Sequence, residues 1–198
     1  MIREAAAVLV PLDTTAAVRY NDAVSARFRV DDSATTADGR ALWPVYRSVF
    51  GDHPTVESWL AVVWDRHRVR AGFRLARAWI GTDLVGFAYG HTGESGQWWT
   101  DNARDVLAPG VAETWLGGHF EVVSVGVLAR ARGTGIGRGL MGALLDGVHQ
   151  DRLLLMTTAD PSDPARRLYA ALGWRVIGPG IGPGTVIMGK RMTRTPSP

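Results

Sequence analysis

The chain has 198 residues, 46% of them hydrophobic, with no cysteine and a formal net charge of +3. That length suits one domain with a sizeable core, or one domain with an added arm, and the missing thiol excludes disulfides and any cysteine nucleophile. Lys190 is the single lysine, and the arginines are scattered among acids without forming a stripe, which argues against a nucleic-acid surface despite the high pI.

In chain order, Met1 to Leu12 carries Arg3 and a short apolar run, but Glu4 and Asp13 interrupt a signal-peptide pattern and no cleavage context follows. No apolar run approaches the length of a membrane span, so a cytoplasmic protein is expected. Within an arm at about 1–40, Val8-Leu9-Val10 and Arg27 to Val30 each read as a strand, and Asp31 to Gly39 as a polar loop. Leu42 to Phe50 and Thr55 to Arg68 read as helices, the second with Thr55 as N-cap and Trp59, Val62 and Val63 on one face. Phe73 to Ile80 reads as a strand, Gly81-Thr82-Asp83 as its turn and Leu84 to Tyr89 as the antiparallel return. Between about 91 and 118 the pattern breaks into glycines, polar residues and aromatics, among them Trp98, Trp99 and Trp115. This is a surface insertion whose tryptophans either plug the core or line a pocket.

The apolar run Val122 to Leu128 follows and leads at once into Arg130-Ala131-Arg132-Gly133-Thr134-Gly135-Ile136-Gly137-Arg138-Gly139 and a helix-like stretch. A glycine-rich turn between a strand and a helix lets the backbone approach a ligand and aims unpaired N–H groups at phosphate. A Walker A loop is excluded, since Gly-Lys-Ser/Thr is missing. The dinucleotide fingerprint G-x-G-x-x-G is met literally by Gly137 to Gly142, with Asp160 about 20 residues on. However, Ile136, Leu140, Leu144 and Val148 share a helical face, which puts those glycines inside the helix and not in the turn. What remains is Arg-x-x-Gly-x-Gly, filled by Arg132, Gly135 and Gly137. Further on, Leu153 to Met156 reads as a strand and Pro164 to Trp174 contains Ala165, Leu168, Tyr169, Leu172 and Gly173 at A-x-x-L-Y-x-x-L-G spacing. Arg175 to Ile177 and Thr185 to Lys190 read as a closing hairpin, with a frayed tail after Arg191. Alternation of strands and helices favours an α/β layering, with no second domain and no internal repeat.

On these two motifs the chain resembles the GNAT superfamily of acyl-CoA-dependent N-acetyltransferases over roughly residues 120 to 178. The resemblance implies an α/β (α+β) fold with a mixed, mostly antiparallel central sheet, a splayed fourth and fifth strand and flanking helices, here as one domain over 1–198. It implies acetyl-CoA (coenzyme A) as cosubstrate, no metal, and a pyrophosphate held by Arg132, Gly133, Thr134, Gly135, Ile136, Gly137 and Arg138, with Arg130, Arg166 and Arg167 as neighbouring cations. Ser162 stands where members often carry an asparagine that meets the pantetheine arm, and Trp174 replaces their phenylalanine. Acetyl transfer in such a site is direct: an amine attacks the thioester carbonyl, an oxyanion develops and coenzyme A thiolate leaves. Backbone N–H groups of Val127 and Val125 on the fourth strand are the implied oxyanion donors. Tyr169 matches the family's general acid. Glu121, opening the fourth strand, is the first choice of general base, with a solvated strand-end carboxylate as the competing reading and His119 as second choice.

The function expected is N-acetylation of a primary amine on a small molecule. The insertion's Glu94, Asp101, Asp105 and Glu113 would attract a polycationic acceptor, and its tryptophans an aromatic one. A non-catalytic acyl-CoA-binding regulatory module and a protein or peptide N-acetyltransferase are the alternatives. The resemblance also admits a homodimer, and no nucleic-acid or membrane partner is expected.

Overall fold

A computed structural model of the chain describes residues 26–192; Val8 to Val10, expected as a strand, and the tail beyond Met192 lie outside them. Among the described residues the strands are β1 (Arg27–Asp31), β2 (Arg74–Ile80), β3 (Asp83–Gly93), β4 (His119–Val127), β5 (Arg152–Thr158), β6 (Arg175–Pro179) and β7 (Thr185–Arg191). They form one sheet in the order β1-β2-β3-β4-β5-β7-β6. Every neighbouring pair is antiparallel except β4 and β5, which run parallel. The expected mixed, mostly antiparallel sheet flanked by helices is the fold observed.

Strand alternation buries both faces. Ala76, Ala78 and Ala88 point to one side, where α6 (Ile136–Leu145) lays Ile136, Leu140 and Leu144 across them and α7 (Pro164–Ala171) adds Tyr169. Small strand residues let this helix come close: a Cβ on Gly86 would lie 3.0 Å from Leu140 Cδ1. Leu75, Phe87 and Tyr89 point to the other side, against Leu42, Val45 and Tyr46 of α1 (Thr36–Val49) and Trp59 of α2 (Val56–Trp59). No described helix is long and apolar enough to cross a membrane.

Three sequence expectations are corrected. The polar stretch Asp31 to Gly39 is not all loop, because Thr35 caps α1 in a reciprocal box with Asp38 and the helix starts at Thr36. The helix capped by Thr55 does not keep one regular face: Leu60–Trp64 is a π-helical turn before α3 (Asp65–His67), and the extra residue per turn rotates Val62 outward while Trp59 and Trp64 are buried. The segment 91–118 is not an irregular surface insertion. Its first residues extend β3 to Gly93, and it then forms α4 (Trp98–Val106) and α5 (Pro109–Trp115), which close a third apolar cluster over Leu154 of β5 and Ile187 of β7. Trp99 is in that cluster, and Trp115 lies on Gly189 beneath Arg191, whose guanidinium carbon is 4.8 Å from the ring centroid. Trp98 alone of the three is mostly exposed.

Candidate active site

β4 and β5 pair only at Phe120 with Leu153 and Glu121 with Leu154. Beyond these rungs β4 pairs only with β3 and β5 only with β7, so the two strands part and leave a gap. Across β3, Tyr89 faces Ser124 while Gly90 faces Val122, which makes Val123 the extra residue of a bulge. The Gly126 carbonyl points at β3, 2.9 Å from where a Cβ on Gly86 would be. By strand alternation the N–H and C=O groups of Val125 and Val127 point the opposite way, into the gap. There the Val127 carbonyl accepts a hydrogen bond from Arg132 Nε at 3.1 Å, and the Val127 N–H has no partner among the described residues.

A short 3₁₀ turn, Ala129–Ala131, carries the chain from β4 to α6. Gly133 and Gly135 have φ of 77° and 88°, a region closed to most side chains, and a Cβ on either would meet nothing within 4 Å. Gly135 is the N-cap of α6 and supplies no side chain to the first-turn N–H groups, which are left for a ligand. The Thr134 hydroxyl donates to the Ala131 carbonyl at 2.8 Å and braces the turn. Arg130 is engaged by Asp83 at 3.0 Å, whereas Arg132 and Arg138 have no ion pair among the described residues.

This turn walls one side of an open cavity of about 520 Å³. Val125, Val127, Arg132, Gly133, Gly135, Gly137 and Arg138 line it. Tyr169 and Leu168 of α7 form the far wall, and Val49 and Phe50 at the end of α1 close the top. Asp163 caps α7 by accepting from the Ala165 and Arg166 N–H groups at 2.8 and 3.2 Å. The Tyr169 ring is 8% exposed and tilts against Trp174, and burial, with a smaller contribution from Asp163, pushes its hydroxyl up to about 12. An open cavity with uncapped helix N–H groups and two arginines that make no ion pair among the described residues fits a ligand that carries phosphates at one end and an apolar arm.

Not every expected residue reaches that wall. Ile136 is buried beneath the turn and could act only through its backbone. Ser162 is exposed, its hydroxyl donating to Asp160 Oδ1 at 2.7 Å. Glu121 lies at the last β4–β5 rung, below the point where the strands part, and is 4% exposed. Its Oε2 is enclosed with no partner among the described residues, and burial pushes the carboxyl up to about 8 against the opposing pull of Arg70. His119, two residues earlier, is fully buried. Its Nδ1 accepts from the Gly117 N–H at 3.2 Å, and burial holds the imidazole down to about 4.

Residues 39–174 match the model of the acetyltransferase (GNAT) family, well over half of the chain. The chain belongs to this GNAT acetyltransferase family. A GCN5-like protein acetyltransferase of Mycobacterium tuberculosis is 34% identical over 98 residues, 46% of this chain and 48% of that protein, so the chain spans about half the length of the curated relative it matches. Among solved structures, PH1933 of Pyrococcus horikoshii superposes with a TM-score of 0.59 at 19% identity, covering 85% of this chain and 100% of that one. The yncA protein of Salmonella typhimurium, solved with its cofactor acetyl-CoA, gives 0.56 at 18%, covering 87% and 98%. At these identities the likeness is one of fold.

Within this GNAT chain, Gly137, Gly139 and Gly142 are interior to α6, which removes the dinucleotide reading of that spacing. Gly139 has a packing reason of its own, since a Cβ there would lie 2.3 Å from the Phe28 ring. Sequence reasoning missed the α1 end of the cavity, Val49 and Phe50, because nothing local in that helix signals a ligand.

Proposed function

We propose that this GNAT protein transfers an acetyl group from acetyl-CoA directly to a primary amine of a small molecule. The observation that carries the reading is the cavity joining the uncapped α6 N-terminus, the inward-facing Val125 and Val127 N–H groups and Tyr169. Acetyl-CoA supplies the activated thioester. The backbone from Arg132 to Arg138 holds its phosphates, and the β4 edge at Val125 and Val127 orients the arm and meets the negative charge on the carbonyl oxygen. Glu121 takes a proton from the acceptor ammonium through water, for which a carboxyl near 8 is well matched. Tyr169, protonated at every working pH, gives its proton to the departing sulfur and is reprotonated through water by the second proton that the acylated nitrogen loses.

Calorimetric titration with acetyl-CoA, coenzyme A and NAD, for the wild type and Gly135→Glu, tests the coenzyme site; thiol release against small amines and lysine peptides tests the acceptor. Binding of both coenzyme A forms but not NAD, lost in Gly135→Glu, is expected, with release from a small amine. Undiminished affinity in Gly135→Glu would overturn the phosphate site. Release from peptides alone would favour a second reading, acetylation of protein amines, which the likeness to a mycobacterial protein acetyltransferase supports. Binding without release from any amine would favour the regulatory module.

A further inference from the structure

We propose that Arg70 is a positioning residue for this reaction: it locks His91 as a neutral ring and holds a positive charge behind the Glu121 carboxylate. This role rests on the reading of Glu121 as the base.

His91 on β3 stands directly opposite Glu121 on β4, so the two side chains share a face of the sheet. Arg70 Nη1 donates to His91 Nε2 at 3.0 Å and to Gln97 Oε1 at 3.3 Å. A guanidinium can only donate, so Nε2 carries the lone pair, and the ring proton sits on Nδ1, which donates to the Thr92 carbonyl at 3.1 Å. Gln97 Nε2 donates to the same carbonyl at 3.2 Å, which orients the amide whose oxygen meets the same Arg70 Nη1. Both nitrogens of His91 are therefore committed, and the ring is fully buried. It neither gives a proton to Glu121 nor adds charge.

The other groups around the carboxylate are neutral or turned elsewhere. His67 of α3 packs 5.4 Å from the His91 ring, its Nδ1 3.2 Å from the Tyr89 hydroxyl, and burial holds it down to about 4. Tyr89 is buried and protonated, and His119 is neutral. Arg152 of β5 pairs with Asp151 and donates to the carbonyls of Thr114, Leu116 and Gly117. Glu121 makes no ion pair among the described residues, which leaves Arg70, one hydrogen bond behind His91, as the cation that offsets its burial.

The test is kcat/KM against pH for the wild type, Arg70→Met, Arg70→Lys, Gln97→Leu and Glu121→Gln. Arg70→Met is expected to move the acid limb up by about one pH unit, roughly a tenfold loss at neutral pH that recovers in alkali. Arg70→Lys should restore most of it, and KM for acetyl-CoA should not change. Gln97→Leu, which frees one anchor of the guanidinium, should move the limb the same way by less and serves if Arg70→Met does not fold. A uniform loss at every pH, with the limb unmoved in both the Arg70 and Gln97 variants while Glu121→Gln removes it, would overturn the role of Arg70 alone. A limb that persists in Glu121→Gln would overturn the base assignment and this proposal with it.

Discussion

Burial pushes the two proposed proton carriers in the same direction with opposite consequences. Tyr169, near 12, stays protonated and gives up its proton less readily than a free phenol. Glu121, near 8, is mostly protonated at neutral pH and gains its function as pH rises. Tyr169→Phe should therefore lower kcat by about 10²-fold, the low end for a general acid, with little change in affinity for acetyl-CoA. Steady-state rates and a binding titration check this, and an unchanged kcat would remove the tyrosine as the acid. For Glu121 only the ionised form accepts a proton, so kcat/KM should rise with pH through a midpoint near 8, and Glu121→Gln should abolish that rise. Tyr169 and the glycine turn were legible in the sequence because each lies in a motif contained in one local stretch. Arg70 and His91 were not, because their contact depends on how β3 registers against β4 and on the loop after α3, neither of which a single sequence displays.

The elements that read well are those whose pattern matches their own period: Phe73 to Ile80 and Leu153 to Met156 fall within a residue or two of the observed bounds, and Ile136, Leu140 and Leu144 share the buried face of α6, although Val148, expected on that face, lies three residues past its end. Those that misread had a tertiary cause for a locally unfavourable residue. Gly39 looked like loop because glycine weakens a helix. In α1 it is buried, and a Cβ there would lie 2.5 Å from Trp64 Cδ1 and 2.7 Å from Leu60 Cδ2, so the absence of a side chain lets α1 sit against the π-helical turn. Gly39→Ala should thus destabilise the protein by about 1–3 kcal/mol, although alanine is the better helix former. Urea unfolding measures it. A stabilised variant would mean that helix propensity outweighs this contact and that the close approach is not tight. The segment 91–118 misread for a related reason, since α4 and α5 are short and bury their apolar residues against Leu154 and Ile187, distant in sequence.

For the whole molecule, four buried groups, His67, His91, His119 and Glu121, set how stability depends on pH. His67, His91 and His119 are held at about 4, 3 and 4, below the 6.5 of an exposed imidazole, while Glu121 is held at about 8, above 4.5. Between pH 4.5 and 6.5 the unfolded chain binds three histidine protons that the folded protein refuses, and the folded protein keeps one glutamate proton that the unfolded chain releases. The balance favours unfolding as pH falls. Above 6.5 the histidines are neutral in both states, and only Glu121 acts. Its burial is most favourable while protonated, so its contribution is lost as pH rises towards 8. Burial opposes the lowering at Asp31 and Asp38, but their hydrogen bonds and the Arg77 charge win, so those two carboxyls matter only below about pH 4. Stability should then peak near pH 6.5, with a steep fall on the acid side and a shallower one towards pH 8. Thermal unfolding from pH 4.5 to 9 reads this directly. Glu121→Gln should flatten the alkaline side and leave the acid side falling, because a glutamine has no proton to lose. If both sides kept their slopes in that variant, Glu121 would not be the buried acid that couples folding to pH, and the case for it as a base tuned by its surroundings would weaken with it.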